Sequence, residues 1–166
     1  MTAATTRRIA LTVNGEAVEA EVPARRHLVD FLRLDLGLTG AHLGCEHGVC
    51  GACTVRVDSV PVRGCLMLAV QADGTEVETI EGLSASGEIA DLQAAFIARN
   101  ALQCGFCTPG MLTTAAELLK SPRALSRQQV REHIAGNYCR CTGYHAIVDA
   151  IIETIEARRA AAGKDG

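Results

Sequence analysis

Gly44-Cys45-Glu46-His47-Gly48-Val49-Cys50-Gly51-Ala52-Cys53-Thr54-Val55 is the stretch on which the reading of this chain turns. Three cysteines crowd into the nine residues from Cys45 to Cys53, so a single loop must wrap whatever they hold. Gly40, Gly44, Gly48 and Gly51 stand among them, and glycine allows both positive φ and close approach of backbone N–H groups to sulfur. Outward from this loop, Cys65 completes a C-x4-C-x2-C-x11-C quartet. The other cysteines of the chain, Cys104, Cys107, Cys139 and Cys141, form a second quartet, C-x2-C-x31-C-x-C. All eight cysteines are used.

Three chemistries use thiols in fours. A disulfide framework belongs to an oxidising compartment and a chain with little core, whereas 48% of these 166 residues are hydrophobic and no secretory signal is seen. Structural zinc takes four thiolates as two close pairs, and the second quartet offers two such pairs, so by itself it leaves zinc open. The first quartet fits zinc poorly. Its opening spacings are those of plant-type [2Fe-2S] ferredoxins, whose last ligand comes from further along the chain. Two such quartets in one chain describe an electron relay.

The segments around the quartets differ in kind. From Arg8 to Val22, Ile9, Leu11 and Val13, then Val18, Ala20 and Val22, alternate about Asn14-Gly15, a type I′ hairpin signal. Leu28, Phe31, Leu32 and Leu36 predict one helix over His27–Leu36, stopped by Gly37. Thr54–Val57, Val60–Val62 and Glu76–Ile80 read as strands, giving a small mixed sheet with one helix. At Glu81 the composition shifts: Gly82, Ser84, Ser86 and Gly87 read as a short linker, and the rest is helical. Leu92, Ala95 and Phe96 make one stripe; Thr108-Pro109 opens a second helix; Ser126 with Gln129 is a capping box for a third; Ile147, Val148, Ile151, Ile152 and Ile155 mark the last. The expected division is therefore 1–81 and 82–166, with the second unit a four-helix bundle.

A net charge of −3 gives no basic footprint for nucleic acid, and no run of about 18 apolar residues is present to cross a bilayer. The apolar stretch behind Arg7 and Arg8 is too short for a twin-arginine signal, so the expected location is the cytoplasm.

The first stretch, together with Leu102-Gln103-Cys104-Gly105-Phe106-Cys107-Thr108-Pro109-Gly110-Met111 and Gly136-Asn137-Tyr138-Cys139-Arg140-Cys141-Thr142-Gly143-Tyr144, resembles the small iron-sulfur subunit of molybdenum hydroxylases, the xanthine oxidase and aerobic carbon monoxide dehydrogenase family. The resemblance spans about Ile9 to Ile155. It implies an α+β chain: an N-terminal plant-type ferredoxin-like (β-grasp) domain, then an all-α [2Fe-2S] domain. It implies a large subunit with molybdopterin, often as its cytosine dinucleotide, and a medium subunit with FAD, assembled as a dimer of heterotrimers. Electrons would pass from molybdenum to a cluster on Cys104, Cys107, Cys139 and Cys141, then to one on Cys45, Cys50, Cys53 and Cys65, then to FAD. It also places Gln103 and Cys141 against the pterin; from the residues alone, Gln103 is a polar side chain at a turn.

Other features are assigned no chemistry. Cys45-Glu46-His47 has the spacing of half a Rieske site, but the C-x2-H half is missing. His27, His42, His133 and His145 form no metal or catalytic set, and no phosphate loop, nucleophile elbow or carboxylate pair is visible, so no catalytic residue is expected beyond electron transfer. Two other readings remain open at this point: a free two-cluster ferredoxin, and a zinc-stapled interaction protein.

Overall fold

The structure is a computed structural model in which residues 5–163 are described. Strands β1 (Thr6–Val13) and β2 (Glu16–Pro23) pair antiparallel with Val13 opposite Glu16. Asn14 and Gly15 both take left-handed φ, 51° and 85°, as the two-residue turn requires. β3 (Thr54–Val57) and β4 (Val60–Arg63) form a second hairpin whose turn residues, Asp58 and Ser59, take the same left-handed φ without a glycine. β5 (Glu76–Glu78) lies between the hairpins, parallel to β1 and antiparallel to β3, giving the sheet order β2-β1-β5-β3-β4. Ile9, Leu11, Val13, Val55, Val57 and Val77 bury one face against Leu28, Val29, Phe31 and Leu32.

These last four residues lie on the predicted helix, which takes an unexpected form. α1 (Leu28–Asp30) runs into a π-helical turn over Phe31–Asp35, closed by Leu36 N–H to the Phe31 carbonyl at 3.2 Å. The expected strand to Ile80 stops at Glu78, because the Asn14 side chain takes the next N–H, that of Thr79, at 2.8 Å. The first half of the expected linker is also a helix, α2 (Ile80–Ala85), and only Ser86 and Gly87 fall beyond its end. Leu83 is fully buried there, and a Cβ on Gly82 would lie 2.3 Å from Asn14 Oδ1, so this glycine serves close packing rather than flexibility.

The remaining helices are α3 (Ala90–Ala98), α4 (Thr108–Ala116), α5 (Arg127–Ile134) and α6 (His145–Ala162). α4 starts at Thr108 itself, so that Cys107 rather than Thr108 is its N-cap. The Ser126–Gln129 capping box is present, with both reciprocal bonds made. Leu92, Phe96, Met111, Val130, Ile134, Ile147 and Ile151 form a second core, separate from that of the sheet. The two halves meet where α4 crosses β3. A Cβ on Gly110 would sit 2.3 Å from the Gly51 carbonyl, so this crossing needs glycine. No helix among the described residues is long and apolar enough to cross a membrane.

Candidate metal centres

Hairpin register positions half of the first quartet. Thr54 pairs with Arg63, and Gly64 N–H bonds the Cys53 carbonyl at 3.1 Å, so Cys53 and Cys65 emerge side by side from the base of β3 and β4. Both are buried. Burial pushes the Cys53 thiol up to about 12, with the Cys65 backbone pulling the other way and the charges of Cys65 and Cys50 adding to the rise. A thiolate there needs positive charge beside it. The other half comes from the glycine loop, where Glu46, Gly48 and Gly51 take φ of 59°, 78° and 74°. That path turns backbone N–H groups onto Cys45. Cys50 N–H reaches its sulfur at 3.3 Å, and this bond, followed by that of His47, lowers the thiol to about 6 against a smaller opposing effect of burial.

The second quartet gathers at helix ends. Cys104 and Cys107 lead into α4, while Cys139 and Cys141 lie between α5 and α6. Cys104 Sγ and Cys141 Sγ are 3.7 Å apart. This is far beyond a disulfide and close to the ~3.8 Å expected of two thiolates ~2.3 Å from one tetrahedral metal. All eight cysteines are free thiols. Burial pushes Cys107 up to about 12, with the neighbouring Cys139 reinforcing the rise. Cys139 moves down, because its burial is outweighed by the Thr142 hydroxyl, 3.1 Å from its sulfur, and by the N–H groups of Cys141 and Thr142. Among the described residues, no three Cys, His, Asp or Glu side chains gather closely enough to hold one metal ion. A two-iron cluster asks for two thiolates on each iron, and the Cys104–Cys141 pair is spaced for that.

The two loops touch. Tyr138 N–H donates to the Cys50 carbonyl at 2.8 Å. Asn137 is buried between the halves: its Nδ2 donates to the Gly51 carbonyl at 3.1 Å, while its Oδ1 accepts from Thr114 Oγ1 at 3.0 Å and from Arg63 Nη2 at 3.4 Å. Arg63 Nη2 also donates to the Gly136 carbonyl at 2.8 Å. On the other side, the His42 ring stacks on Phe106 at 4.8 Å between centroids, and its Nδ1 lies 2.8 Å from the Phe106 carbonyl.

Two sequence profiles match the chain, one described as a 2Fe-2S iron-sulfur cluster binding domain over residues 11–84 and the other as a [2Fe-2S] binding domain over residues 79–152. Caffeine dehydrogenase subunit gamma of Pseudomonas sp. (strain CBB1) is 53% identical over 146 residues, covering 86% of this chain and 87% of that one. The chain belongs to the iron-sulfur small subunits of the molybdenum hydroxylases. The xanthine dehydrogenase iron-sulfur-binding subunit of Escherichia coli is 40% identical over 147 residues, covering 87% of this chain and 92% of that one. A chain in the crystal structure of quinoline 2-oxidoreductase from Pseudomonas putida 86 superposes with a TM-score of 0.86 at 51% identity, covering 93% of this chain and 97% of that one.

In this iron-sulfur subunit, Gln103 does more than stand at a turn. Its Nε2 donates to the Cys141 carbonyl at 3.0 Å, tying together the two residues the resemblance had placed at the pterin. Sequence reasoning missed Asn137, Arg63, Thr142 and Tyr144. The first, third and fourth lie inside a motif already singled out, but nothing in their type or spacing announces a structural contact to a loop 86 residues away, such as that from Asn137 to Gly51.

Proposed function

We propose that Cys45, Cys50, Cys53 and Cys65 hold the FAD-side [2Fe-2S] cluster of a molybdenum- and FAD-containing oxidoreductase, and that Cys104, Cys107, Cys139 and Cys141 hold its molybdenum-side cluster. Each cluster, when bound, accepts and passes on one electron. The division follows the two cores, a ferredoxin-like unit over 1–81 and a helical unit over 82–166. The observation that carries the relay is the Tyr138 N–H to Cys50 carbonyl bond, which leaves one hydrogen bond between a residue adjoining Cys139 and Cys50 itself.

The surface supports large partners on both sides. Of the seven exposed large apolar side chains among the described residues, Val49 and Leu66 flank the first quartet and Phe106 and Tyr138 the second. Cys104 and Cys141 are exposed as well, a placement that suits a centre covered by a molybdopterin subunit. The complex is a cytoplasmic dimer of heterotrimers, with the pterin as its cytosine dinucleotide and the substrate recognised by the large subunit. The named relatives are subunits of dehydrogenases, which favours a dedicated subunit over a free ferredoxin.

Anaerobically purified complex is expected to carry about four irons per copy of this chain, negligible zinc and two distinct [2Fe-2S] EPR signals, both developed by substrate. Stoichiometric zinc in the second quartet would overturn that half of the reading. Gln103→Ala gives a finer test at the molybdenum side. Loss of one hydrogen bond to the Cys141 carbonyl is worth about 1 kcal/mol, so iron content stays normal while subunit affinity or electron delivery into the second cluster falls roughly fivefold. Rapid-reduction kinetics and titrated subunit affinity measure this, and no change in either would return Gln103 to a polar residue at a turn.

A further inference from the structure

Six non-glycine residues among those described have positive φ; three are Asn or Asp, the types that tolerate it, and Ser59 follows Asp58 in the β3–β4 turn. Of the other two, Glu46 lies in the glycine loop. Tyr144, at φ 69° directly after Gly143 at φ 66°, stands at the N-cap of α6. A bulky side chain held there is strained, so the surrounding contacts must over-determine it.

Those contacts converge on one cysteine. The Tyr144 hydroxyl accepts the Cys139 N–H at 2.8 Å and lies 3.3 Å from the Asn137 carbonyl, to which it donates. At its other end, the Tyr144 N–H donates to Thr142 Oγ1 at 3.3 Å, and that hydroxyl donates to Cys139 Sγ at 3.1 Å. The left-handed backbone makes this possible, turning the N–H toward Thr142 while the phenol folds back over the Cys139 peptide. Tyr144 thus withholds one donor, the Cys139 N–H, and orients another, the Thr142 hydroxyl.

Hydrogen bonds to ligand sulfur set the reduction potential of an iron-sulfur cluster, because each donor favours the more negative, reduced form. We propose that Tyr144 and Thr142 are positioning residues that set the potential of the cluster on the second quartet, and with it the division of electrons between the two clusters. The proposal rests on the ligand reading above.

The two variants predict opposite signs. Thr142→Val removes a donor to sulfur, so the second cluster becomes harder to reduce. Tyr144→Phe keeps the ring and frees the Cys139 N–H, so it becomes easier to reduce. Each is expected to change the ratio of electrons on the two clusters about tenfold, which is 59 mV for a one-electron couple. The first cluster should keep its wild-type potential.

The measurement is an EPR-monitored redox titration of both clusters in the assembled complex, with iron content determined alongside. Shifts of opposite sign confined to the second cluster support the proposal. A purely structural role for the pair predicts lower thermal stability with both potentials unchanged, and full iron with an unmoved second-cluster potential in both variants overturns it. If Tyr144→Phe fails to load iron, the sign of the Thr142→Val shift decides. Wild-type complex without [2Fe-2S] signals would overturn the ligand reading and the proposal together, whereas wild-type signals with unmoved variants overturn the proposal alone.

Discussion

Cys53→Ser is expected to cut the iron content from about four to about two per chain and to abolish one of the two [2Fe-2S] EPR signals. Cys53 is buried at the base of the β3–β4 hairpin, with its carbonyl held by Gly64 N–H, so its side chain has no freedom to seek another geometry. A serine oxygen is a harder donor than sulfur and is worse suited to ionise where burial already pushes the native thiol up to about 12. Substrate should still reduce the molybdenum side and the second cluster, while electron delivery to the flavin subunit falls by about 100-fold or more. The surviving signal should change line shape, because Tyr138 is bonded to the Cys50 carbonyl in the damaged loop. Retention of about four irons would show that the ligand set is wrong. Disappearance of both signals would show that the two units do not form their centres separately.

Arg56→Ala is expected to have the largest effect on stability without touching a cysteine. Arg56 projects from β3 with only 2% of its side chain exposed. Its guanidinium forks onto Glu88, with Nη2–Oε1 at 2.7 Å and Nη1–Oε2 at 3.0 Å. Glu78 lies at 3.5 Å, and Glu117 at 3.6 Å as an ion pair without a hydrogen bond. Glu78 belongs to the sheet, whereas Glu88 precedes α3 and Glu117 caps α4, so this one cation joins the halves. Its removal leaves three carboxylates facing one another around a cavity.

Breaking a buried pair costs about 3–5 kcal/mol, and the 26–35% exposure of the carboxylate side chains puts this case near the lower end. A loss of about 3 kcal/mol lowers Tm by roughly 6–12 °C in a chain of this size, readable by calorimetry. Arg56→Lys should recover only part of it, since an ammonium cannot fork onto Glu88. The same pair sets an acid dependence. The Arg56 hydrogen bond, opposed by some burial, holds the Glu88 carboxyl below its ordinary 4.5. Its contribution is therefore fully present above about pH 4.5 and is lost as pH falls through the lowered folded value. In Arg56→Ala that slope should flatten; an unchanged acid limb would place the sensitivity elsewhere.

What could be read from the chain alone was whatever depends on neighbours in sequence. The Asn14-Gly15 turn, the Ser126–Gln129 cap and the cysteine spacings are local, because a two-residue turn, a helix N-terminus and a metal-binding loop each ask for particular residue types within a few positions. The same local logic misread Gly82 and Ser84, which lie in α2, as part of a linker. Composition cannot distinguish a glycine needed for mobility from one needed to let Asn14 come close. Nothing within the predicted strand Thr54–Val57 marks Arg56 as buried, and Tyr144 is simply the last residue of its motif. Their partners stand 32 residues away in one case, and in the other at both ends of a loop whose left-handed turn no propensity predicts. Sequence by itself therefore determined that the chain carries two quartets of thiols, one beside a small sheet and one among helices. Only the tertiary structure decided how the quartets face each other, because the Asn137, Arg63 and Arg56 contacts exist only once two separate cores have packed and brought buried polar groups within hydrogen-bond reach.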